Sequence, residues 1–283
     1  MKRTIRNSIH LFLIFVGGGL FSGLKAEQGQ HQSASAHQEQ EAASKQHQQT
    51  LCGVGKSQSP VNLENTIDTK LDELRFEYKS TRLDMQHTTH GLKLNYPSGS
   101  FLYVGNVEYE LQHMYFVSPS EHAIEGEYSA VELQLFHKAR NGKKVVVAIL
   151  FDEGGVKQTL DVIWRNMPVE KDKHHFVNRR SINAVDYIGE KQNYYFYTGS
   201  MSQAPCEEGV SWFVMQEKNA LTKIQVNKFQ RFFNKHTRKV NTLHNRSIRL
   251  AVFGNQHRIR VDSTQTKEQY KTVDAKHETT HHE

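Results

Sequence analysis

The chain has 283 residues, a mass of 32.7 kDa and a formal net charge of +6, with 37% hydrophobic, 23% charged and 10% aromatic residues. Two cysteines exclude a disulfide-rich scaffold and a four-thiolate zinc site, while 15 Phe, 11 Tyr and 2 Trp exclude wholesale disorder. No apolar stretch after residue 24 is long enough to cross a bilayer, so the body reads as one soluble domain of roughly 200–230 residues.

Lys2, Arg3 and Arg6 precede a mostly apolar run from Ile9 to Leu24, and Lys25-Ala26-Glu27 follows. A basic start and an apolar stretch of this size read as a secretory signal over residues 1–26, or as an uncleaved N-terminal anchor. Either way the body is placed across a membrane. Gly17-Gly18-Gly19 lies within this segment without a strand–glycine–helix context, so it is no phosphate loop. Residues 27–50 contain no aromatic, Leu, Ile or Val and read as a disordered Gln- and His-rich linker. Residues 262–283 form a similarly polar tail. The scattered histidines of both segments read as solvated side chains, and the domain is expected to span residues 51–261.

Within it the pattern is mainly that of strands. Ser100–Val104 and Val107–Leu111 flank Gly105-Asn106, a tight-hairpin signal. Val131–Phe136 is a further strand, and Asn141-Gly142 introduces Lys144–Phe151, an unbroken apolar run that predicts a central strand buried on both faces. Tyr194–Tyr197 and Val210–Met215 add two more. One helix is predicted after Thr222 and Gln225, which form a capping box, with Leu221, Ile224, Phe229, Phe232 and Phe233 on its apolar stripe. The fold class is therefore mainly β (α+β), a large sheet with few helices.

Nine basic residues and no acid lie between Lys228 and Arg260: Lys228, Arg231, Lys235, Arg238, Lys239, Arg246, Arg249, Arg258 and Arg260. Arg238 and Arg246 also read as structural, and all nine but Arg246 define a candidate surface for a protein partner or an anionic envelope component, against the plainer reading of a solvated helix face and loop. The export signal disfavours nucleic acid.

Four motifs carry a family resemblance. Ser57-Gln-Ser-Pro-Val-Asn-Leu63 resembles the QSPINI segment of alpha-class carbonic anhydrases, and Ser118-Pro-Ser-Glu-His122 resembles their T-P-S-E-H. Val131-Glu-Leu-Gln-Leu-Phe-His-Lys138 is similar to E-x-H-L-V-H-K, and the stretch from Gly199 to Trp212 to G-S-L-T-T-P-P-C-x-E-G-V-x-W. The resemblance implies one domain around a central, mostly antiparallel sheet of about ten strands with a conical cavity. It also implies a disulfide between Cys52 and Cys206, closing a loop of about 150 residues worth roughly 4–5 kcal/mol in the chain-entropy account. The family's N-terminal tryptophan-containing segment has no counterpart.

The family's chemistry uses a zinc ion held by three neutral imidazoles, two of them at i and i+2 on one strand and the third on the neighbouring strand. Tyr115, Val117 and Gln134 stand in those three positions. Valine offers no lone pair, a glutamine amide is a poor zinc ligand, and tyrosine must first lose a proton of pKa about 10. Other positions persist. Glu132 matches the carboxylate that orients the third ligand, Glu121 the one that orients a hydroxyl which Ser202 supplies, and His90 falls at the proton-shuttle position. Gln203 replaces a second threonine, while His122 and His137 match structural histidines. Tyr115 is expected to fill the metal's volume, with its hydroxyl reaching Glu132, Gln134 or Ser202. A displaced metal site built on His113 and His90 is the sharp alternative.

The expected function is thus an exported, catalytically inactive carbonic-anhydrase-like protein without a cofactor. It would be periplasmic, cell-surface or secreted, and serve as a binding or structural module or as part of an envelope assembly. It would meet a membrane only through an uncleaved N-terminal segment. The alternative is an atypical, zinc-dependent enzyme that hydrates CO₂.

Overall fold

In the computed structural model, residues 51–233 and 237–253 are described. The leader, linker and tail, the C-terminal domain limit, and Lys235, Arg258 and Arg260 therefore lie outside the described residues. The N-terminal half contributes β1 (Asn62–Leu63), β2 (Ile67–Asp68), β3 (Leu74–Glu77), β4 (Thr81–Thr88), β5 (Gly91–Asn95), β6 (Phe101–Val104) and β7 (Val107–Val117). After β8 (Ala123–Ile124) and β9 (Glu127–Tyr128) come β10 (Val131–Lys138) and β11 (Lys144–Glu153). Helix α1 (Asp161–Asn166), β12 (His174–Ile182), β13 (Tyr194–Ser200), β14 (Glu208–Met215), β15 (Asn219–Leu221), α2 (Lys223–Phe233) and β16 (Arg249–Ala251) complete the described chain.

The hairpin signals form hairpins: Val104 pairs with Val107 across Gly105-Asn106, and Lys138 with Lys144 across the Asn141-Gly142 turn. Thirteen strands make one sheet, whose principal path runs β12-β4-β5-β7-β10-β11-β14-β13-β16-β2. Most pairings are antiparallel; β11 runs parallel to β14 and β15, and β16 parallel to β2. Seven consecutive residues of β11 are buried, as its unbroken apolar sequence requires of a strand covered on both faces.

One transverse row crosses the whole path. His174, Gln86, Lys93, Tyr115, Gln134, Ala148, Val214, Tyr195, Leu250 and Asp68 are successive register partners. Because side chains alternate between faces, this row shares one face with a cluster that includes Tyr115, Phe136, Val146, Tyr197 and Trp212. The opposite face carries the larger core, in which Phe116, Leu133, Ile149 and Phe213 meet Trp164 of α1 and Phe229 of α2.

The capping box forms as its sequence predicts. Thr222 Oγ1 accepts from the Gln225 N–H at 3.1 Å, and Gln225 Oε1 accepts from the Thr222 N–H at 2.9 Å. The buried stripe differs from the expected one: Gln225, Val226, Phe229 and Phe233 are buried, whereas Ile224 is 80% exposed. Gln225 turns inward because its carbonyl also accepts from Trp164 Nε1 and its side chain donates to Asp161, which rotates Ile224 outward.

Candidate functional site

The register fixes the positions where zinc ligands were sought. Tyr115 and Gln134 are directly paired across β7 and β10, and Val117 pairs with Glu132. All three side chains are buried. Gly91 lets β5 close against this corner: at its φ of +136°, an added Cβ would lie 2.2 Å from the Phe116 carbonyl oxygen and 3.3 Å from Val117 Cγ1.

Gln134 organises the interior. Its Nε2 donates to Glu121 Oε2 at 2.8 Å and to Glu132 Oε1 at 2.9 Å, and Ser202 Oγ lies 3.5 Å from its Oε1. Glu132 accepts further bonds at Oε1 from His122 Nδ1 (2.8 Å) and at Oε2 from the backbone N–H groups of Glu121 (2.8 Å) and His122 (2.9 Å). Four donors thus converge on one buried carboxylate. On its far side, His122 Nε2 meets the Tyr197 hydroxyl at 2.7 Å, which donates to Ser59 Oγ. His122 is therefore a core histidine bonded at both nitrogens, as its structural reading requires.

The two carboxyls titrate in opposite directions. Burial pushes Glu121 above its ordinary value, the Glu132 charge adds to this, and hydrogen bonds from Gln134, the Arg238 N–H and Ser202 only partly offset it. Burial also pushes Glu132 upward, but the charge and hydrogen bonds of His122, with the Gln134 amide, outweigh it and hold Glu132 below its ordinary value.

Tyr115 departs from expectation. Its hydroxyl interacts with Gln203 rather than Glu132, Gln134 or Ser202, and its ring lies edge-on to Phe136 (5.7 Å) and His113 (5.3 Å). Burial raises its pKa. These residues do not fit zinc. The phenol resists ionisation, Val117 has no donor atom, and both hydrogens of the Gln134 amide point at carboxylates. Among the described residues no group of three His, Cys, Asp or Glu is arranged to hold a metal ion. Of the two histidines of the displaced-site alternative, His113 stacks on Phe136 at 4.8 Å, and burial with the nearby Lys93 charge lowers its pKa to about 4. His90 sits in the turn between β4 and β5, where its N–H donates to Thr88 Oγ1. His137 pairs through Nε2 with the Tyr78 hydroxyl at 2.7 Å.

Cys52 and Cys206 are joined in a disulfide across 154 positions. Beside it, Arg238 donates from Nη2 to the Cys52 carbonyl (2.6 Å) and to Gln58 Oε1 (2.9 Å), and from Nη1 to the Ser59 carbonyl (2.6 Å); its backbone N–H reaches Glu121 Oε1 at 3.3 Å. Arg238 is a structural clamp, and Lys228 donates to the Trp164 carbonyl at 2.7 Å. Arg246, also within that stretch, bonds the carbonyls of Leu243, Thr198 and Thr242. Lys228, Arg231, Lys239 and Arg249 are exposed. A cleft of about 1080 Å³ lies elsewhere, lined by Asp68, Asp72, Arg75, Tyr103 and Phe253 among others. The Gln134 bridge and the individual partners of Arg238 were not legible in the sequence. The bond from Gln134 to Glu121 spans 13 positions and those of Arg238 span 117 to 186, so no local pattern announces them.

Comparison with known proteins agrees with this architecture. The family model for eukaryotic-type carbonic anhydrases matches residues 39–261. A carbonic anhydrase of Neisseria gonorrhoeae is 33% identical over 182 residues, 64% of this chain and 71% of that protein. The structure of a hyperthermostable carbonic anhydrase from an active hydrothermal vent chimney superposes with a TM-score of 0.69 at 33% identity, covering 72% of this chain and 91% of that one. Dioscorin complexed with ascorbate superposes with a TM-score of 0.66 at 28% identity, covering 74% and 91% respectively.

Proposed function

Since the chain belongs to the alpha-class carbonic anhydrase family, we propose that it is an exported, catalytically silent member acting as a binding or structural module. The observation that carries this reading is the Gln134 carboxamide, whose two N–H groups satisfy Glu121 and Glu132 where a third imidazole would stand. A donor amide there is the reverse of what a cation needs, because a metal must receive lone pairs. Tyr115 and Val117 supply no alternative set. The fold is then a scaffold, and its role rests on a surface that meets a protein partner or an anionic envelope component. Export is supported by the basic and apolar N-terminal sequence and by a disulfide of the kind that persists in oxidising compartments.

The rival reading is an atypical active enzyme with a displaced zinc site. It draws on the names of the relatives and on the retention of Glu121, Glu132 and Ser202. One experiment decides between the two: metal analysis of the purified full chain after incubation with zinc, paired with a CO₂-hydration assay. Absence of bound zinc and of hydration above the buffer rate is expected. One zinc per chain with inhibitor-sensitive activity overturns the proposal.

A further inference from the structure

The geometry points to the open edge of β12 as a docking site for an acidic, extended segment of another protein, added to the sheet as a strand. Among the described residues β12 ends the principal path of the thirteen-stranded sheet and pairs with β4 alone. An edge strand presents unpaired N–H and C=O groups outward, which an extended chain satisfies by continuing the ladder. Of its nine residues only Val177 and Ile182 are covered, and Phe176 is 49% exposed.

The charge on this edge selects the partner. His174 is paired with Asp84, and Lys173 lies 3.5 Å from Glu170. Arg82 donates to Asn178 Oδ1 at 3.2 Å. Arg179 and Arg180 are exposed, and no ion pair engages either among the described residues. They sit where the register slips: Val177 opposes Leu83 and Ser181 opposes Arg82, so Asn178, Arg179 and Arg180 are extra residues on β12. The bulge leaves both arginines without register partners on β4, and each guanidinium carries a donor fork suited to a carboxylate. A second copy of this chain is the poorer occupant, since antiparallel pairing of two β12 edges sets cationic segments against each other. An acidic strand with one apolar side chain facing Phe176 matches both the charge and the half-exposed ring.

This inference rests on the binding-module reading for its biological use only. The β12 edge lies outside the ligand positions, so an active enzyme would carry it too and the two readings can fail separately. The test uses the full chain and two synthetic peptides, one of alternating glutamate and valine and one of alternating lysine and valine, followed by calorimetry and amide hydrogen exchange. Binding of the glutamate peptide alone is expected, with slowed exchange at residues 174–182 and weakening as salt rises. The variant Arg179→Glu with Arg180→Glu should lose about tenfold or more in affinity while keeping the wild-type melting temperature; Phe176→Ser should weaken binding without altering its salt dependence. The inference is overturned if the glutamate peptide does not bind, if both peptides bind alike, or if binding leaves β12 exchange unchanged. Concentration-dependent protection of β12 without peptide would assign the edge to a second copy and overturn it equally.

Discussion

Gln134 and Glu121 are joined inside the sheet by a hydrogen bond of 2.8 Å, with the amide Nε2 donating to the carboxylate Oε2. The second hydrogen of the same nitrogen goes to Glu132. One neutral side chain thus keeps two buried acids apart and partly satisfied, a role with measurable consequences.

Gln134→Leu should destabilise the protein by about 2–4 kcal/mol, the cost of leaving buried acceptors short of a donor. The folded-state pKa of Glu121 is raised, so its stabilising contribution is largest in acid and is lost as pH rises through that value. Removing the Gln134 donor raises that pKa further. The deficit should therefore grow from about pH 4 upward and shrink in acid, as urea titrations at several pH values would show. A deficit independent of pH would mean that Gln134 does not support a charged Glu121.

Glu132→Gln should behave with the opposite sign. Glu132 is held below its ordinary value chiefly by His122, so its contribution is present above about pH 4.3 and is lost as pH falls through the lower folded-state value. The substitution strands His122 beside a neutral amide and should cost about 3–5 kcal/mol near neutrality, with the difference closing at low pH.

His113 and His137 should remain neutral well below pH 6 in NMR titrations. Burial lowers their pKa values to about 4 and about 3 respectively. Each folded-state value is depressed, so the stability these groups contribute is complete above pH 6.5 and is lost as pH falls toward those values. An ordinary titration midpoint for His113 would show that its stack on Phe136 is open to water.

Tyr115→His, Val117→His and Gln134→His together should give the protein measurable zinc affinity by calorimetry. Positions 115 and 134 are already register partners, and Glu132 can accept from the imidazole introduced at 134, steadying it as a ligand. A folded triple variant without zinc affinity would show that the carboxylate arrangement tolerates only an amide.

Cys52→Ser with Cys206→Ser should cost about 2–5 kcal/mol, and Arg238→Ala about 1–3 kcal/mol. The two should not add, because Arg238 grips the Cys52 carbonyl itself. Chemical denaturation of the single, double and combined variants measures the coupling.

Periodicity made the core strands legible. The apolar run of β11 and the turns at Gly105-Asn106 and Asn141-Gly142 carry their structure in a few adjacent residues. The capping box was readable for the same reason, while the outward turn of Ile224 was not, since it follows from a contact between α2 and α1 more than sixty positions apart. At the site, the motifs identified which residues stand at the ligand positions. They could not reveal that the Tyr115 hydroxyl would interact with Gln203, a partner far along the chain. In the acid-free stretch the charge is visible in sequence, but the carbonyls to which Lys228, Arg238 and Arg246 donate are not.

The early part of the domain finds its partners very late in the chain. Ser59 receives bonds from residues 141 and 179 positions away, Val61 bridges to Asn241, and Ile67 lies beside Arg249. At ribosomal rates of about 5–20 residues per second, these residues wait roughly 10–35 s before their partners exist. Contacts of such separation also close slowly. Leu63 meets Ile124 partway through synthesis, but the bond to the Ser59 carbonyl and the bridge from Val61 form only after Arg238 and Asn241 have been made. Ending the chain before position 237 should release the opposite end of the domain as well.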